Sequence, residues 1–259
     1  MQTFVVNLQK DTARLSHMAQ QLEQHGISWT RFNAVNKSVI LEIGKELGWP
    51  IFLSGCSPAE LGCSFSHYSI WRQILEEDLP YALVLEDDVV FAHDAGIVLS
   101  AVEEFASKNT FDIIKLETFL GGIEVSRAKY LVGKGSHLSV LHGNHAGCAA
   151  YFVSNSGCQR LVSHFPEFRH AIDLEMFEHR NKELSIYQLE PAIFVQDIVL
   201  NKGRSKFESN IEGSRLEFEK KHAVIEALKD PFRKLSRMRH SLRLAKDGKR
   251  KIASTFSGG

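Results

Sequence analysis

Three consecutive acidic residues close a short apolar segment in the first half of the chain. The segment runs from Tyr81 to Leu85 and is followed directly by Glu86, Asp87 and Asp88. Its length and composition are typical of a buried strand, and acids at its carboxyl end would lie where open α/β sheets bind ligands. Adjacent carboxylates repel one another unless a cation or hydrogen-bond donors compensate them, and oxygen ligands suit Mg²⁺ or Mn²⁺. The run therefore indicates either a divalent-cation site or a solvated acidic turn.

The elements around this acidic run (Glu86 to Asp88) alternate as in a parallel sheet. Residues 4–8 and 27–32 read as strands, and Asp11 or Thr12 can cap a helix between them that ends at Gly26. This β-α-β order favours a parallel sheet. Further strands are predicted at 111–116, 149–153 and 185–189, and the strand at 185–189 is predicted to be the last in the chain. Helices are predicted over 95–106 and from residue 59–60 or 64. No GxGxxG follows the first strand, so a dinucleotide fingerprint is absent.

Length and charge limit the possible architectures. The chain has 259 residues with 44% hydrophobic content, enough for one large α/β domain or for a domain with an appendage. Its formal net charge is +0, but residues 229–251 carry ten basic and two acidic side chains. A basic tail on an acidic body suggests a polyanionic partner for the tail.

The tail also has the pattern of an amphipathic helix. Asp230 can act as its N-cap, with Pro231 at the first helical position. One apolar stripe follows, formed by Leu228, Phe232, Leu235, Met238 and Leu242. The pattern fits a membrane-surface element or a terminal helix docked on the body. Nucleic-acid binding is less favoured because the tail lacks interleaved aromatic residues.

Cysteine content and hydropathy predict a cytoplasmic location. None of the four cysteines forms a CxxC pair, which argues against a zinc site and favours reduced thiols that serve in packing. The first residues lead straight into a predicted strand rather than a signal peptide. No apolar run approaches the roughly 18 residues that a transmembrane helix needs.

Four segments in order resemble glycosyltransferase family 25, the lipooligosaccharide galactosyltransferase-like family. They are Phe4 to Leu8 with Asp11 and Arg14, Arg31 to Val35, Glu60 to His67 with Trp71 following, and Leu85 to Asp88. Weaker similarities follow at 111–116, 149–154 and Asp173, so the resemblance covers roughly residues 3–200. Two features depart from the pattern: Pro58-Ala59 stands where a glycine usually precedes Glu60, and residues 201–259 match nothing in it.

The resemblance implies a GT-A-like α/β fold, with a Rossmann-like, mostly parallel sheet flanked by helices and followed by the basic helical tail. Such enzymes transfer a sugar from a nucleotide-sugar, typically UDP-galactose, to a glycan hydroxyl with inversion. Their acidic motif holds Mn²⁺ or Mg²⁺ against the diphosphate. Glu86 and Asp88 are the expected metal ligands here, and Asp87 would bind the ribose or a metal-bound water.

Inverting transfer also needs a general base on the acceptor side. By the same resemblance Asp173 is the leading candidate and Glu175 the second. The alternative for Asp173 is a helix cap with no catalytic role.

The expected donor-binding residues follow the first two strands or lie near a helix start. Arg14 would meet phosphate, or else be a solvated helix arginine. His67 is either a phosphate or sugar contact or a helix-packing residue, since a helix start favours anions. The full set is Asn7, Leu8, Arg14, Ala34, Val35, Ser66, His67 and Asp87, with Ser64 beside it.

The sequence leaves two alternative roles for each of two further residue pairs. His142 and His145 flank Gly143-Asn144, and one of them could be an additional metal ligand, although plain loop histidines are favoured. Lys115 and Glu117 share one face of a predicted strand and point either into the site or toward each other.

We expect three parts: a catalytic domain at 1–200, a polar connecting segment with a helix at 201–228, and the basic tail at 229–259. Expected partners are a UDP-sugar donor, a glycolipid or oligosaccharide acceptor and the anionic inner face of the cytoplasmic membrane, but no nucleic acid. Two alternative functions remain open: a metal-dependent phosphohydrolase, or a non-catalytic protein that binds polyanions or glycans.

Overall fold

A large central sheet with helices on both faces dominates the fold. The computed structural model describes residues 1–46, 56–167, 169–177, 184–207 and 249–258. In these ranges the strands are β1 (Gln2–Asn7), β2 (Thr30–Asn33), β3 (Tyr81–Glu86), β4 (Val89–Phe91), β5 (Ile113–Lys115), β6 (Gly122–Ser126), β7 (Tyr130–Leu131), β8 (His137–Val140), β9 (Ala150–Ser154), β10 (Ile186–Glu190), β11 (Phe194–Gln196) and β12 (Lys249–Ala253). The helices are α1 (Thr12–Gln24), α2 (Ile40–Glu46), α3 (Pro58–Glu76), α4 (Ala95–Lys108), α5 (Asn155–His164), α6 (Ile172–Phe177) and α7 (Asp197–Leu200).

The large sheet has the strand order β2-β1-β3-β9-β5-β10-β8-β7. β1 runs parallel to β2 and β3, and β5 runs parallel to β10. β9 lies antiparallel between β3 and β5, and β8 and β7 continue the sheet as antiparallel strands. The predicted α/β class, with a mostly parallel sheet flanked by helices, is confirmed.

Each face of the sheet packs on its own set of helices because alternate strand residues point to opposite sides. Phe4 and Val6 of β1 face the layer formed by α2, α3, α5 and α6. Val5 faces the opposite layer, formed by α1 and α4. The helices on the two faces and the sheet between them form a three-layer arrangement. Because β1, β2 and β3 run parallel, their carboxyl ends meet at one edge of the sheet.

The predicted boundaries of α1 agree with the structure. Asp11 is the N-cap residue, although its side chain makes no capping hydrogen bond. Gly26, just past the helix, has a φ of +64°, a left-handed conformation that glycine adopts without steric cost.

A capping box fixes the start of α3. Ser57 has an extended backbone, its hydroxyl accepts from the Glu60 N–H, and the Glu60 carboxylate accepts from the Ser57 N–H at 2.7 Å. The start predicted at residues 59–60 is confirmed, and a start at Ser64 is wrong. Because Ser66 and His67 lie two turns or more inside α3, their predicted place at a helix start is also wrong.

Several strands are not predicted by any local sequence pattern. The predicted end of the strand list at 185–189 is wrong, since β11 pairs with β4 and β12 pairs with β6 in two small sheets. These strands have three to five residues, and their partners lie far away in the sequence, so tertiary pairing decides them.

Near the carboxyl end of the chain, β12 pairs antiparallel with β6. The predicted amphipathic helix over 228–242 lies outside the described residues. None of the helices in the described ranges has both the length and the apolar character required to cross a membrane.

Candidate active site

The acidic run lies at the carboxyl edge of the sheet, as predicted. Glu86 is the last residue of β3, and Asp87 and Asp88 form the turn into β4. Asn7 ends the adjacent β1, which is parallel to β3. The parallel arrangement thus brings two strand ends together at this edge.

Asp87 is held by donors from the β1–α1 region. Asn7 Nδ2 donates to Asp87 Oδ2 at 2.6 Å, and Arg14 donates to Oδ1 at 2.5 Å. Burial raises the pKa of Asp87, while Arg14 and Asn7 act in the opposite direction. Asp87 therefore fixes Arg14 beside the acidic run.

The negative charge of Asp88 is compensated less closely than that of Asp87. Arg14 lies 3.7 Å from its carboxylate, and the Gln196 amide donates at 3.3 Å. Burial raises the pKa of Asp88 to about 7, and the negative charge of Glu86 contributes. The same Gln196 amide nitrogen is 3.4 Å from Glu86 Oε2, so one amide bridges both acids. Sequence reasoning missed Gln196, because this residue lies far from the acidic run in the sequence and is brought beside it by the pairing of β11 with β4.

Glu86 turns its other oxygen toward two thiols and an imidazole. Oε1 lies 3.6 Å from Cys63 Sγ, 3.4 Å from Cys148 Sγ and 3.4 Å from His67 Nε2. We call Cys63, His67, Glu86 and Cys148 the thiol cluster. The interpretation of both cysteines as packing residues missed this contact with Glu86. The available signal was the spacing of Cys63 and His67, one helical turn apart.

His67 is fully buried behind Glu86. Its Nδ1 lies 2.7 Å from the Tyr151 hydroxyl, which also accepts from Trp71 Nε1 at 3.0 Å. Burial alone would lower the pKa of His67, but Cys63 and Glu86 raise it to about 10. The residue thus combines helix packing with a direct contact to the acidic run.

The two candidate bases have different surroundings. Asp173, in the first turn of α6, accepts from the Gly147 N–H at 2.9 Å, which places it beside the segment that carries Cys148. Glu175 accepts from the backbone N–H groups of Arg169 and His170 at 2.8 and 2.9 Å. It thereby fixes the chain entering α6.

Buried side chains hold the segment that precedes β9. Lys115 is fully buried, donates to the Ala146 carbonyl at 3.0 Å and to the Gly147 carbonyl, and pairs with Glu117 at 3.3 Å. Glu117 accepts from the Ala149 N–H at 2.6 Å. Lys115 and Glu117 therefore meet each other and fix the backbone on both sides of Cys148.

His145 is part of the same buried region. Its Nδ1 lies 2.8 Å from the Gln188 side-chain oxygen, and burial together with Lys115 lowers its pKa to about 3. The backbone N–H of His142 donates to the Glu124 carbonyl at 2.8 Å, beside β6. Neither contact involves the acidic run.

The remaining predicted donor-binding residues meet next to Asn7. The Ala34 N–H donates to the Asn7 carbonyl at 3.0 Å, and the Val35 N–H donates to Ser66 Oγ at 2.8 Å. The Leu8 carbonyl accepts from Arg31 at 3.1 Å. Ser66 thus anchors the segment after β2 to α3 and helps to shape this edge.

A segment beyond the predicted catalytic domain also reaches the site. Asp197 accepts from Ser205 Oγ and the Lys206 N–H at 2.8 and 2.7 Å. The next residue, Phe207, places its ring centroid 5.6 Å from the Arg14 guanidinium carbon. Phe207 therefore contacts the same arginine that binds Asp87.

Residues 1–176 match the family model of glycosyltransferase family 25, described as an LPS biosynthesis protein. The chain belongs to glycosyltransferase family 25. The resemblance found in the sequence is thereby confirmed, and membership makes the chain a glycosyltransferase.

The chain is similar over most of its length to curated members of bacterial surface-glycan pathways. The lacto-N-neotetraose biosynthesis glycosyltransferase LgtE of Neisseria gonorrhoeae is 31% identical over 231 residues, covering 84% of this chain and 81% of the relative. The lipooligosaccharide biosynthesis protein lic2B of Haemophilus influenzae is 30% identical, covering 83% of each chain. A solved glycosyltransferase involved in glycosylating the PBCV-1 major capsid covers 85% of this chain at 10% identity, with a TM-score of only 0.41.

Proposed function

We propose that this family 25 enzyme transfers galactose from UDP-galactose to a lipooligosaccharide or related surface glycan, with inversion and with the help of a divalent cation. The observation that carries the proposal is the pair of carboxylates at the end of β3. Asp88 and Glu86 share one amide donor, and burial, followed by the negative charge of Glu86, raises the pKa of Asp88 to about 7. Such a pair fits Mn²⁺ or Mg²⁺.

Asp88, with Glu86 through Oε2, would hold the cation. When bound, the cation would supply positive charge to the departing diphosphate. Arg14, held by Asp87, would add a second positive charge at the same place. The donor-facing edge of the site would be formed by Asn7, Leu8, Ala34 and Val35.

Asp173 is our choice as general base toward the acceptor hydroxyl. Gly147 orients one of its oxygens. A carboxylate in this position would take the proton from the attacking hydroxyl. Glu175 is the weaker candidate because its carboxylate binds two backbone N–H groups.

The decisive experiment is Asp88→Asn with UDP release as readout. The wild-type enzyme is assayed on a lipooligosaccharide acceptor with UDP-galactose and, separately, with UDP-glucose, each with and without Mn²⁺. We expect at least about a 100-fold loss of Mn²⁺-dependent transfer in Asp88→Asn, because charge stabilisation by a metal ion is worth several kcal/mol. Glu104→Gln, an exposed carboxylate on α4, is the matched control and should keep full activity.

Three outcomes would contradict this proposal. A preference for UDP-glucose would reject galactose as the sugar. Donor hydrolysis without acceptor transfer would favour the phosphohydrolase alternative. Unchanged Mn²⁺-dependent transfer in Asp88→Asn would reject Asp88 as a metal ligand.

We also propose that the basic tail holds the enzyme at the anionic inner face of the cytoplasmic membrane, where lipid-linked acceptors would be reached. The support is the positive charge of residues 229–251. Because β12 pairs with β6, deletion of the whole tail would also remove a strand of the body.

The tail is therefore tested by replacing Arg233, Lys234, Arg237, Arg239 and Arg243 with Gln while residues 249–258 are kept. At about 1 kcal/mol per basic residue, binding to anionic vesicles should weaken at least ~100-fold in a co-sedimentation assay. Activity on a short soluble acceptor should not change. Undiminished vesicle binding would reject the membrane role.

A further inference from the structure

We propose that the thiol cluster is a zinc site, distinct from the divalent-cation site proposed at Asp88. Its four groups come from three parts of the fold: Cys63 and His67 from α3, Glu86 from the end of β3, and Cys148 from the segment before β9. One ligand atom from each lies within 4.8 Å of every other. Two thiols and an imidazole form a donor set that selects Zn²⁺ over Mg²⁺ or Mn²⁺.

Four of the six distances within the cluster match the edges of a zinc coordination tetrahedron, and the other two are within 4.8 Å. With Zn–S near 2.3 Å and Zn–N or Zn–O near 2.0–2.2 Å, adjacent ligand atoms should lie roughly 3.3–3.8 Å apart. Glu86 Oε1 is 3.4 Å from His67 Nε2, 3.4 Å from Cys148 Sγ and 3.6 Å from Cys63 Sγ. Cys148 Sγ lies 3.8 Å from His67 Nε2.

A hydrogen-bonded cluster without metal accounts for these distances less well. A charge-assisted bond between an imidazole and a carboxylate closes to about 2.7–2.9 Å. The separation of His67 Nε2 and Glu86 Oε1 is 3.4 Å, longer than such a bond. A central ion would keep the two atoms at this distance.

The outer contacts are those expected around metal ligands. His67 Nδ1 is paired with the Tyr151 hydroxyl at 2.7 Å, which leaves Nε2 directed into the cluster. Cys148 is fixed from both sides, because Asp173 binds the Gly147 N–H and Glu117 binds the Ala149 N–H. The ligand atoms are thus positioned before any ion binds.

With four protein ligands the site would be closed and structural, so it would support the chemistry without entering it. Zinc would join α3, β3 and the segment before β9 directly beneath the acidic run. Its role would be to hold Glu86, and with it the turn that carries Asp88, in one position.

The test measures zinc content by mass spectrometry in protein purified with a reductant from zinc-supplemented cells. We expect about one zinc per chain in the wild type and in Cys158→Ser, and less than about 0.1 in Cys63→Ser and Cys148→Ser. Cys158 is the matched control because it is buried in the same layer but outside the cluster. Equal zinc content in all four proteins would overturn the proposal.

A second measurement needs no variant and covers the case in which Cys63→Ser or Cys148→Ser fails to fold. Wild-type protein reconstituted with Co²⁺ should show thiolate-to-cobalt charge transfer and the intense visible bands of tetrahedral cobalt. A weak, octahedral spectrum, or two thiols lost to a disulfide with no metal taken up, would overturn the site. Asp88→Asn should keep its zinc while losing transfer, so the zinc proposal and the proposed function fail independently.

Discussion

Each acid of the run from Glu86 to Asp88 has a different set of partners, although the three are adjacent in sequence. Asp87 is bound by Asn7 and Arg14, and Glu86 contacts the other three members of the thiol cluster. Among the described residues, Asp88 is approached by Arg14 at 3.7 Å and Gln196 at 3.3 Å, and burial raises its pKa to about 7. At the residue scale, Asp88 is therefore the carboxylate best suited to meet an added cation.

The candidate base can be tested without disturbing its surroundings. In Asp173→Asn the amide oxygen can still accept from the Gly147 N–H, so the fold should be preserved. We expect kcat to fall about 10²- to 10⁴-fold with little change in KM for the donor, since general-base catalysis contributes that much. Steady-state kinetics with varied donor at saturating acceptor is the measurement. Glu175→Gln is the comparison, and a larger loss of kcat there would exchange the two roles.

At the scale of elements, the segment between β8 and β9 depends on one buried lysine. Lys115 lies in β5, donates to two carbonyls of that segment and stacks its ammonium 4.1 Å from the Phe177 ring centroid. The ion pair with Glu117 is shielded from water on every side. The segment carrying Cys148 is thus fixed by the sheet rather than by its own sequence.

Replacing Lys115 should lower the stability of the protein. Lys115→Met leaves Glu117 buried without its cation, and we expect a loss of about 3–5 kcal/mol in the free energy of unfolding. Lys108→Met breaks an exposed ion pair with Glu104 and should change the free energy of unfolding by less than about 1 kcal/mol. Urea unfolding followed by circular dichroism compares the two. Similar midpoints would show that Lys115 does not fix the segment.

At the scale of the whole molecule, the carboxyl end is attached to the sheet through Glu190. Its carboxylate accepts from Ser254 Oγ at 2.5 Å and from the Thr255 N–H at 3.3 Å. Burial raises the pKa of Glu190 to about 6, even though these donors act against the shift. The last residues of the chain are thereby joined to the end of β10.

This attachment predicts a pH dependence of stability. The folded-state pKa of Glu190 is above the ordinary value of 4.5, so the folded chain binds more protons between pH 4.5 and 6. The contribution of Glu190 to the free energy of unfolding should then be lost as pH rises through this window, by up to about 2 kcal/mol. In Glu190→Gln this component should disappear, because the amide does not titrate and Ser254 can accept from it. Urea unfolding at pH 4.5, 5.5 and 6.5 measures this component of the free energy of unfolding. The same pH dependence of that free energy in the wild type and in Glu190→Gln would contradict the prediction.

Much of the fold was predictable from local patterns. Apolar periodicity identified β1, β3, α1 and α4, and the β-α-β order identified a mostly parallel sheet. Ordered motifs pointed to the carboxyl edge of β1 and β3 as the site. The short strands β4, β11 and β12 were not predictable, because each is stabilised by a partner remote in the sequence.

The sequence by itself determined the fold class, the family and the position of the acidic run at a strand end, because each depends on residue type and nearest-neighbour spacing. Only the tertiary structure decided how the three acids differ. Gln196 reaches Asp88 and Glu86 through β11, and Cys148 reaches Glu86 from the segment before β9. Charge compensation and metal coordination depend on distances of a few ångströms between residues about 60 to 110 positions apart. Such distances are set by packing and not by local pattern.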